Sequence, residues 1–116
     1  MHELAIAQAL VEMASAEAAR AGAARVTRVT CRIGALCQVE EAMLTLAFES
    51  ARIGTPCANA RVRVEKSPLR ARCRTCERDF DVLSWDWNCP ACGGDGLVQP
   101  GGDELELVSI DAEVGA

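Results

Sequence analysis

The chain has 116 residues, half of them hydrophobic, with a formal net charge of −5 and a sequence pI of about 4.8. That length suits one small domain with at most a smaller appended module, and the acidic balance excludes a generic nucleic-acid or anionic-membrane binder, which needs a basic face. With two Phe, two Trp and no Tyr, the burial surplus is thin, and a structural metal would add materially to stability.

The first predicted element is a helix from Glu3 to Ala19, where Leu4, Ala7, Leu10, Val11, Ala14 and Ala18 fall at helical spacing and Gly22 stops it. The stretch RVTRVTCRIG then alternates Val29, Cys31 and Ile33 with Thr30 and Arg32, the pattern of a half-buried strand ending at Gly34. VEEAMLTLAFESA returns to helical spacing, with Met43, Leu44, Ala47, Phe48 and Ala51 on one side. Glu40 and Glu41 occupy its first turn, where the helix dipole favours negative charge, and Gly54, Thr55 and Pro56 break it. A second strand is predicted over Arg61 to Glu65, with Val62 and Val64 inward. A third runs from Glu104 to Val114, and its inward phase changes between Leu107 and Val108, which predicts a bulge or a strand covered on both faces.

Between the second and third strands, Leu69 to Gly102 differs in character: it is rich in Cys, Gly, Asp and Arg. The expected fold class is α+β, two helices packed on a three-stranded sheet with an inserted four-cysteine zinc ribbon. The expected domains are residues 1–68 plus 103–116, and residues 69–102.

No basic segment followed by an apolar core marks a secretory signal, and no run approaches the roughly 18 apolar residues of a membrane span. The expected location is therefore the cytoplasm, where thiols stay reduced. There the seven cysteines point to metal binding rather than to disulfides. CRTCERDFDVLSWDWNCPACGG places two C-x-x-C pairs, Cys73/Cys76 and Cys89/Cys92, twelve residues apart. Each pair turns two sulfurs toward one point, and two such knuckles complete the tetrahedral four-sulfur site that Zn(II) prefers. All four positions are protein ligands, so the predicted zinc is structural, with no open position for substrate. Gly93 and Gly94 suit the tight turn through their tolerance of positive φ.

Trp85 and Trp87 are expected to fill the core of this small module. Arg70, Arg72, Arg74 and Arg78 share the segment with Glu77, Asp79, Asp81, Asp86 and Asp95, which predicts a solvated face of mixed charge. Cys31 lies on the apolar phase of the first strand and reads as a core residue. Cys37 and Cys57 fall in or near loops, where either could be exposed. The one histidine lies far from both in sequence, and no carboxylates pair for acid–base work, so no catalytic constellation is expected and the chain reads as a non-enzyme.

That histidine is His2. A bulky second residue is expected to protect Met1 from removal, which leaves the Met1 amine beside the imidazole. Amine and His2 amide nitrogen close a five-membered chelate ring; amide and imidazole close a six-membered one. The Glu3 amide, the Glu3 or Glu40 carboxylate, or water is available to finish the square. Planar nitrogen-rich coordination suits Ni(II) or Cu(II), and Zn(II) gains nothing from it. Reference pKa values of about 6.5 for His and about 7.7–8.0 for the amine imply affinity that falls as pH drops. An open-edged site of this kind suits an ion that must be handed on.

MHELAIAQALVE, RVTRVTCRIGALCQVE, CRTC with CPACGG, and GDELELVSIDAE together resemble the HypA/HybF family of hydrogenase maturation factors, in order and over essentially the whole chain. The resemblance implies a nickel metallochaperone that supplies the [NiFe]-hydrogenase large subunit with the GTPase HypB, and in some bacteria also serves urease and its maturation proteins. It implies nickel at His2 and Glu3 with the N-terminal nitrogens, Glu40 as a secondary ligand, and structural zinc at Cys73, Cys76, Cys89 and Cys92. A monomer or homodimer is expected. The competing reading is a zinc-ribbon module that binds protein or nucleic acid, with His2 incidental; the acidic pI disfavours the nucleic acid. A C-x-x-C thiol oxidoreductase is a third, which tight zinc would exclude.

Overall fold

The computed structural model describes residues 3–114. Helix α1 spans Glu3–Arg20 and buries Ile6, Ala7, Leu10, Val11, Ala14 and Ala18. The predicted face is recovered except at Leu4, which is exposed, its place in the core taken by Ile6. Strand β1 spans Ala23–Gly34 and a 3-10 turn follows at Ala35–Cys37. Helix α2 spans Glu41–Ala51 and buries Leu44 and Phe48; Met43, expected on that inner face, points outward instead. Strands β2 (Arg61–Ser67), β3 (Leu69–Cys73), β4 (Asp79–Val82), β5 (Gly96–Val98) and β6 (Leu105–Val114) complete the chain.

The strands form two three-stranded sheets, ordered β2-β1-β6 and β4-β3-β5. In the first, β1 runs parallel to β2, with Val29 opposite Val62 and Cys31 opposite Val64. A parallel neighbour requires a crossover, and α2 supplies it. The β6 pairing is antiparallel, and Thr30 faces Ser109 while Cys31 faces Leu107, so Val108 is skipped. The phase change expected between Leu107 and Val108 is this bulge. A second slip, between Val26/Ala112 and Arg28/Asp111, lets both Val26 and Val29 face the core, which simple alternation does not predict.

The first core gathers Ile6, Leu10, Val26, Val29, Leu44 and Phe48, with Val62, Val64 and Ile110 packed against its edge. Cys31 is buried here, and burial raises its thiol to about 11. Cys57, a candidate for exposure, is buried too, with the Ser15 hydroxyl 3.8 Å from its sulfur. Cys37 is half-buried, 3.6 Å from the Glu104 carbonyl. The second core is far smaller: Leu69, Ala71, Cys73, Phe80, Val82 and Cys89, with Trp87 against them. Trp87 therefore packs as expected, while Trp85 does not. It sits at φ 61°, after Ser84 at φ 51°, 53 % exposed, on the wall of a cleft of about 640 Å³ between the sheets.

The arginines do form a mixed-charge face. Arg70 meets Asp81 at 2.8 Å and Arg72 meets Asp79 at 3.1 Å, each across the β3–β4 ladder. On the first sheet Arg25 pairs with Glu113 at 3.0 Å and Arg32 with Glu65 and Glu106 at 3.4 and 3.5 Å. Exposed pairs of this kind add roughly 0–1 kcal/mol each; their larger effect is to leave no uniformly basic surface.

The two sheets meet where β1 ends. Gly34 donates to the Glu104 carbonyl at 2.8 Å and Leu36 to the Gly102 carbonyl at 2.6 Å. The Gly102 N–H in turn reaches both oxygens of the Glu104 carboxylate, at 3.1 and 3.2 Å. Hydrogen bonds from the backbone N–H groups of Glu104 itself and of Gly102 hold that carboxyl below its usual range. A Cβ on Gly34 would collide with the Gly102 carbonyl, and backbone there cannot swing aside as a side chain can. Gly34→Ala is therefore expected to lower unfolding free energy by about 2 kcal/mol, read as a reduced urea midpoint. An unchanged midpoint would mean that the close approach is not a constraint.

Candidate metal centres

The ribbon builds its site from two matching knuckles. In the first, the Glu77 N–H donates to the Cys73 carbonyl at 3.0 Å and the Cys73 N–H to the Arg78 carbonyl at 2.9 Å. In the second, Gly93 donates to Cys89 at 2.8 Å and Cys89 to Gly94 at 2.8 Å. The residue after each second cysteine is left-handed: Gly93 at φ 76° and Glu77 at φ 62°. Glycine adopts that conformation freely, whereas Glu77 is held there against its preference. Gly94, expected to share this role, has another. A Cβ there would lie 2.9 Å from the Cys73 sulfur and 2.8 Å from the Thr75 hydroxyl, so Gly94 keeps space open beside a ligand.

The four sulfurs of Cys73, Cys76, Cys89 and Cys92 lie within 4.8 Å of one another. Cys73 and Cys92 are 3.4 Å apart and Cys76 and Cys89 3.7 Å. Tetrahedral Zn–S bonds of about 2.3 Å require sulfurs about 3.8 Å apart, so the cluster has the dimensions of such a site. Sulfur is also the donor that Zn(II) selects over hard cations.

The environment favours thiolate. The Cys76 N–H, followed by that of Thr75, bonds the Cys73 sulfur, each at 3.4 Å, and brings this thiol down to about 6. Burial pushes the Cys89 thiol up, but the Cys92 and Ala91 N–H groups outweigh it and leave Cys89 lowered. Cys92 receives a bond from the Gly94 N–H, yet its sulfur neighbours, Cys73 first, raise it to about 11. Four adjacent thiols cannot all ionise without a cation between them.

The second candidate site lies at the start of the two helices. The Glu40 N–H, at the N-cap of α2 rather than in its first turn, donates to the Glu3 carboxylate at 3.4 Å. Residues 37 apart in sequence are thus neighbours, because α1 and α2 pack side by side. Both carboxylates are solvent-accessible. His2 and Met1, the other candidate ligands, lie outside the described residues. Among the described residues no other group of three or more His, Cys, Asp or Glu converges as the four thiols do. The knuckle equivalence of Glu77 and Gly93 escaped sequence reading, and the shared C-x-x-C spacing was the available signal.

A family model described as hydrogenase/urease nickel incorporation, metallochaperone, hypA matches residues 1–112. The chain belongs to the HypA family. It is 38 % identical over 113 residues to the hydrogenase maturation factor HybF of Salmonella typhimurium, covering 97 % of this chain and 100 % of that protein. It is 40 % identical over 114 residues to the hydrogenase maturation factor HypA of Roseiflexus sp., covering 97 % and 93 %. The solution structure of the Ni metallochaperone HypA from Helicobacter pylori shares the fold with a TM-score of 0.67 at 22 % identity, covering 99 % of this chain and 100 % of that one. Membership in this metallochaperone family replaces the bare interaction-module reading, and no helix among the described residues is long and apolar enough to cross a membrane.

At neutral pH the metal-free cluster holds Cys73 as thiolate while Cys92 keeps its proton. Metal uptake at pH 7 is therefore expected to release protons, so affinity should already fall as pH drops from there, and more steeply once acid protonates Cys73 below about 6. Calorimetry in buffers of different ionisation enthalpy measures both; uptake without proton release would contradict the titration order.

Proposed function

We propose that this chain is a nickel carrier, not an enzyme, that binds Ni(II) at its N-terminus and delivers it for maturation of a [NiFe]-hydrogenase. The ligands in this reading are the Met1 amine, the His2 amide and imidazole, and a fourth donor from Glu3, with Glu40 as a secondary carboxylate. Residues 1–68 plus 103–116 form the nickel domain and residues 69–102 the zinc domain. The acceptor is the hydrogenase large subunit, the working partner is the GTPase HypB, and urease maturation proteins are further recipients in some bacteria. The setting is the cytoplasm.

The observation that supports it best is the Glu3–Glu40 contact at 3.4 Å. It sets two acidic residues at adjacent helix starts, the first of them next in sequence to the only histidine of the chain. Family membership supplies the metal, and the residue chemistry supplies the geometry: a flat nitrogen donor set matches Ni(II). Donors at a chain terminus, with an open edge, suit transfer better than permanent retention. The zinc at Cys73, Cys76, Cys89 and Cys92 is structural in this reading, since its four thiolates leave no vacant position.

Nickel titration tests the carrier role. Untagged chain is expected to bind about one Ni(II), and His2→Gln to weaken binding by about a hundredfold or more, beyond what loss of an outer-shell partner costs. Gln keeps the second residue bulky, so the initiator methionine stays. Extending the chain before Met1 should do equal damage with His2 intact, whereas zinc content stays constant in both. Equal nickel affinity in all three forms would overturn the reading.

The zinc role has its own test. The ribbon core of six buried residues is too small to hold the β3–β4–β5 sheet alone. Removing zinc with a chelator, or substituting Cys89→Ser, is expected to speed amide exchange through that sheet while β2-β1-β6 remains protected. Unchanged protection in the ribbon would refute a structural role.

A further inference from the structure

We propose that the outward face of α2 is a docking surface for a positively charged amphipathic helix on a partner protein. The inference deepens the carrier reading, on which it rests for the reason such a partner approaches here. The inner face of α2 is accounted for by Leu44 and Phe48. At about 100° per residue, Ala42, Met43, Leu46, Glu49 and Ser50, with Ile53 in the following turn, share the opposite arc. Met43 is 50 % exposed, Leu46 62 % and Ile53 76 %.

A solvent-facing helix side normally carries charge; this one carries a single charged group, Glu49. Met43, Leu46, Ser50 and Ile53 follow i, i+3, i+7, i+10 spacing, the stripe by which one helix lies along another.

Charge selects the occupant. Glu49 lies on this arc, Glu40 and Glu41 stand at the start of the helix, and α2 contains no Lys or Arg. The nearest cation, Arg52, is turned away to the Ala60 carbonyl at 2.5 Å. A second copy of a chain with net charge −5 would bring like charge to an acidic rim, and an anionic membrane would do the same. A helix with Lys or Arg beside an apolar stripe meets both features. The Glu40–Glu3 contact sets the start of α2 beside Glu3, one of the proposed nickel ligands, so an acceptor docked along α2 would approach the cargo from that end.

The test uses a labelled Leu/Lys amphipathic helical peptide and its Leu/Glu counterpart, titrated against the full chain by anisotropy. The Lys peptide is expected to bind at least about tenfold tighter at low salt. The pair Leu46→Gln and Ile53→Gln should weaken it at least about fivefold, and Glu49→Lys should flatten its salt dependence. These substitutions are exposed, and circular dichroism is expected to be unchanged. Equal binding of both peptides, or indifference to Leu46→Gln with Ile53→Gln, would overturn the proposal. So would sedimentation that reveals a dimer dissolved by the same substitutions, since the occupant would then be a second copy. Nickel titration in parallel separates the two readings: a chain that binds the Lys peptide as expected yet takes no nickel upholds the docking surface and sinks the carrier.

Discussion

Pairing along β1 organises the rest of the molecule. Its twelve residues bond β2 on one side and β6 on the other, and its inward side chains Val26, Val29, Cys31 and Ile33 form the floor under α1, with α2 beside that helix and over β2. Because β1 and β2 are parallel, α2 must run back antiparallel to β1, as α1 does on its way into that strand. The two helices therefore start at the same end of the sheet, and Glu3 meets Glu40. At that same end β1 stops against the Gly102 backbone, the point where the chain comes back from the ribbon. One strand thus governs both the N-terminal candidate site and the attachment of the ribbon.

The two candidate metal sites differ as their donors differ. Four sulfurs within 4.8 Å, supported by N–H groups of Thr75 and Cys76, make a preformed shell of four protein donors. Such a shell suits a soft-tolerant ion and leaves no coordination position open. The N-terminal donors are sequence-adjacent and need only local chain geometry to chelate. In the proposed reading, stability comes from the first arrangement and exchange from the second.

The sequence made the element order and the four-sulfur cluster legible because both rest on local signals: helical and alternating periods, and C-x-x-C spacing. The bulge near Val108 was legible for the same reason, since a phase change shows within one strand. Neighbour relations across the chain were not. Nothing local says that Cys57 is covered by Ser15, that Met43 faces out, or that Gly34 must admit Gly102. Trp85 shows the limit best: its apolar bulk argues for packing, but a left-handed turn at Ser84 and Trp85 swings it toward the cleft and leaves Trp87 to fill the core. The bond from Glu40 to Glu3 depends on the α1–α2 packing, so composition could suggest the pair of carboxylates but not bring them together.

Electrostatics at the helix starts bears on how firmly a dication is held. Each helix N-terminus carries about half a positive charge, and here two stand side by side, a field that opposes a cation. Glu3, Glu40 and Glu41, all within the first residues of α1 and α2 or at the cap, offset it. Were these carboxylates absent, the dipoles would repel Ni(II); were they set on a neutral loop, the same negative charge would grip it harder. Three carboxylates outweigh two half-charges, so in the proposed site they add attraction to that of the nitrogen donors. A partner that brings its own positive charge to the rim of α2 would draw on the same carboxylates, weaken the hold on the ion and favour its departure at the moment of contact.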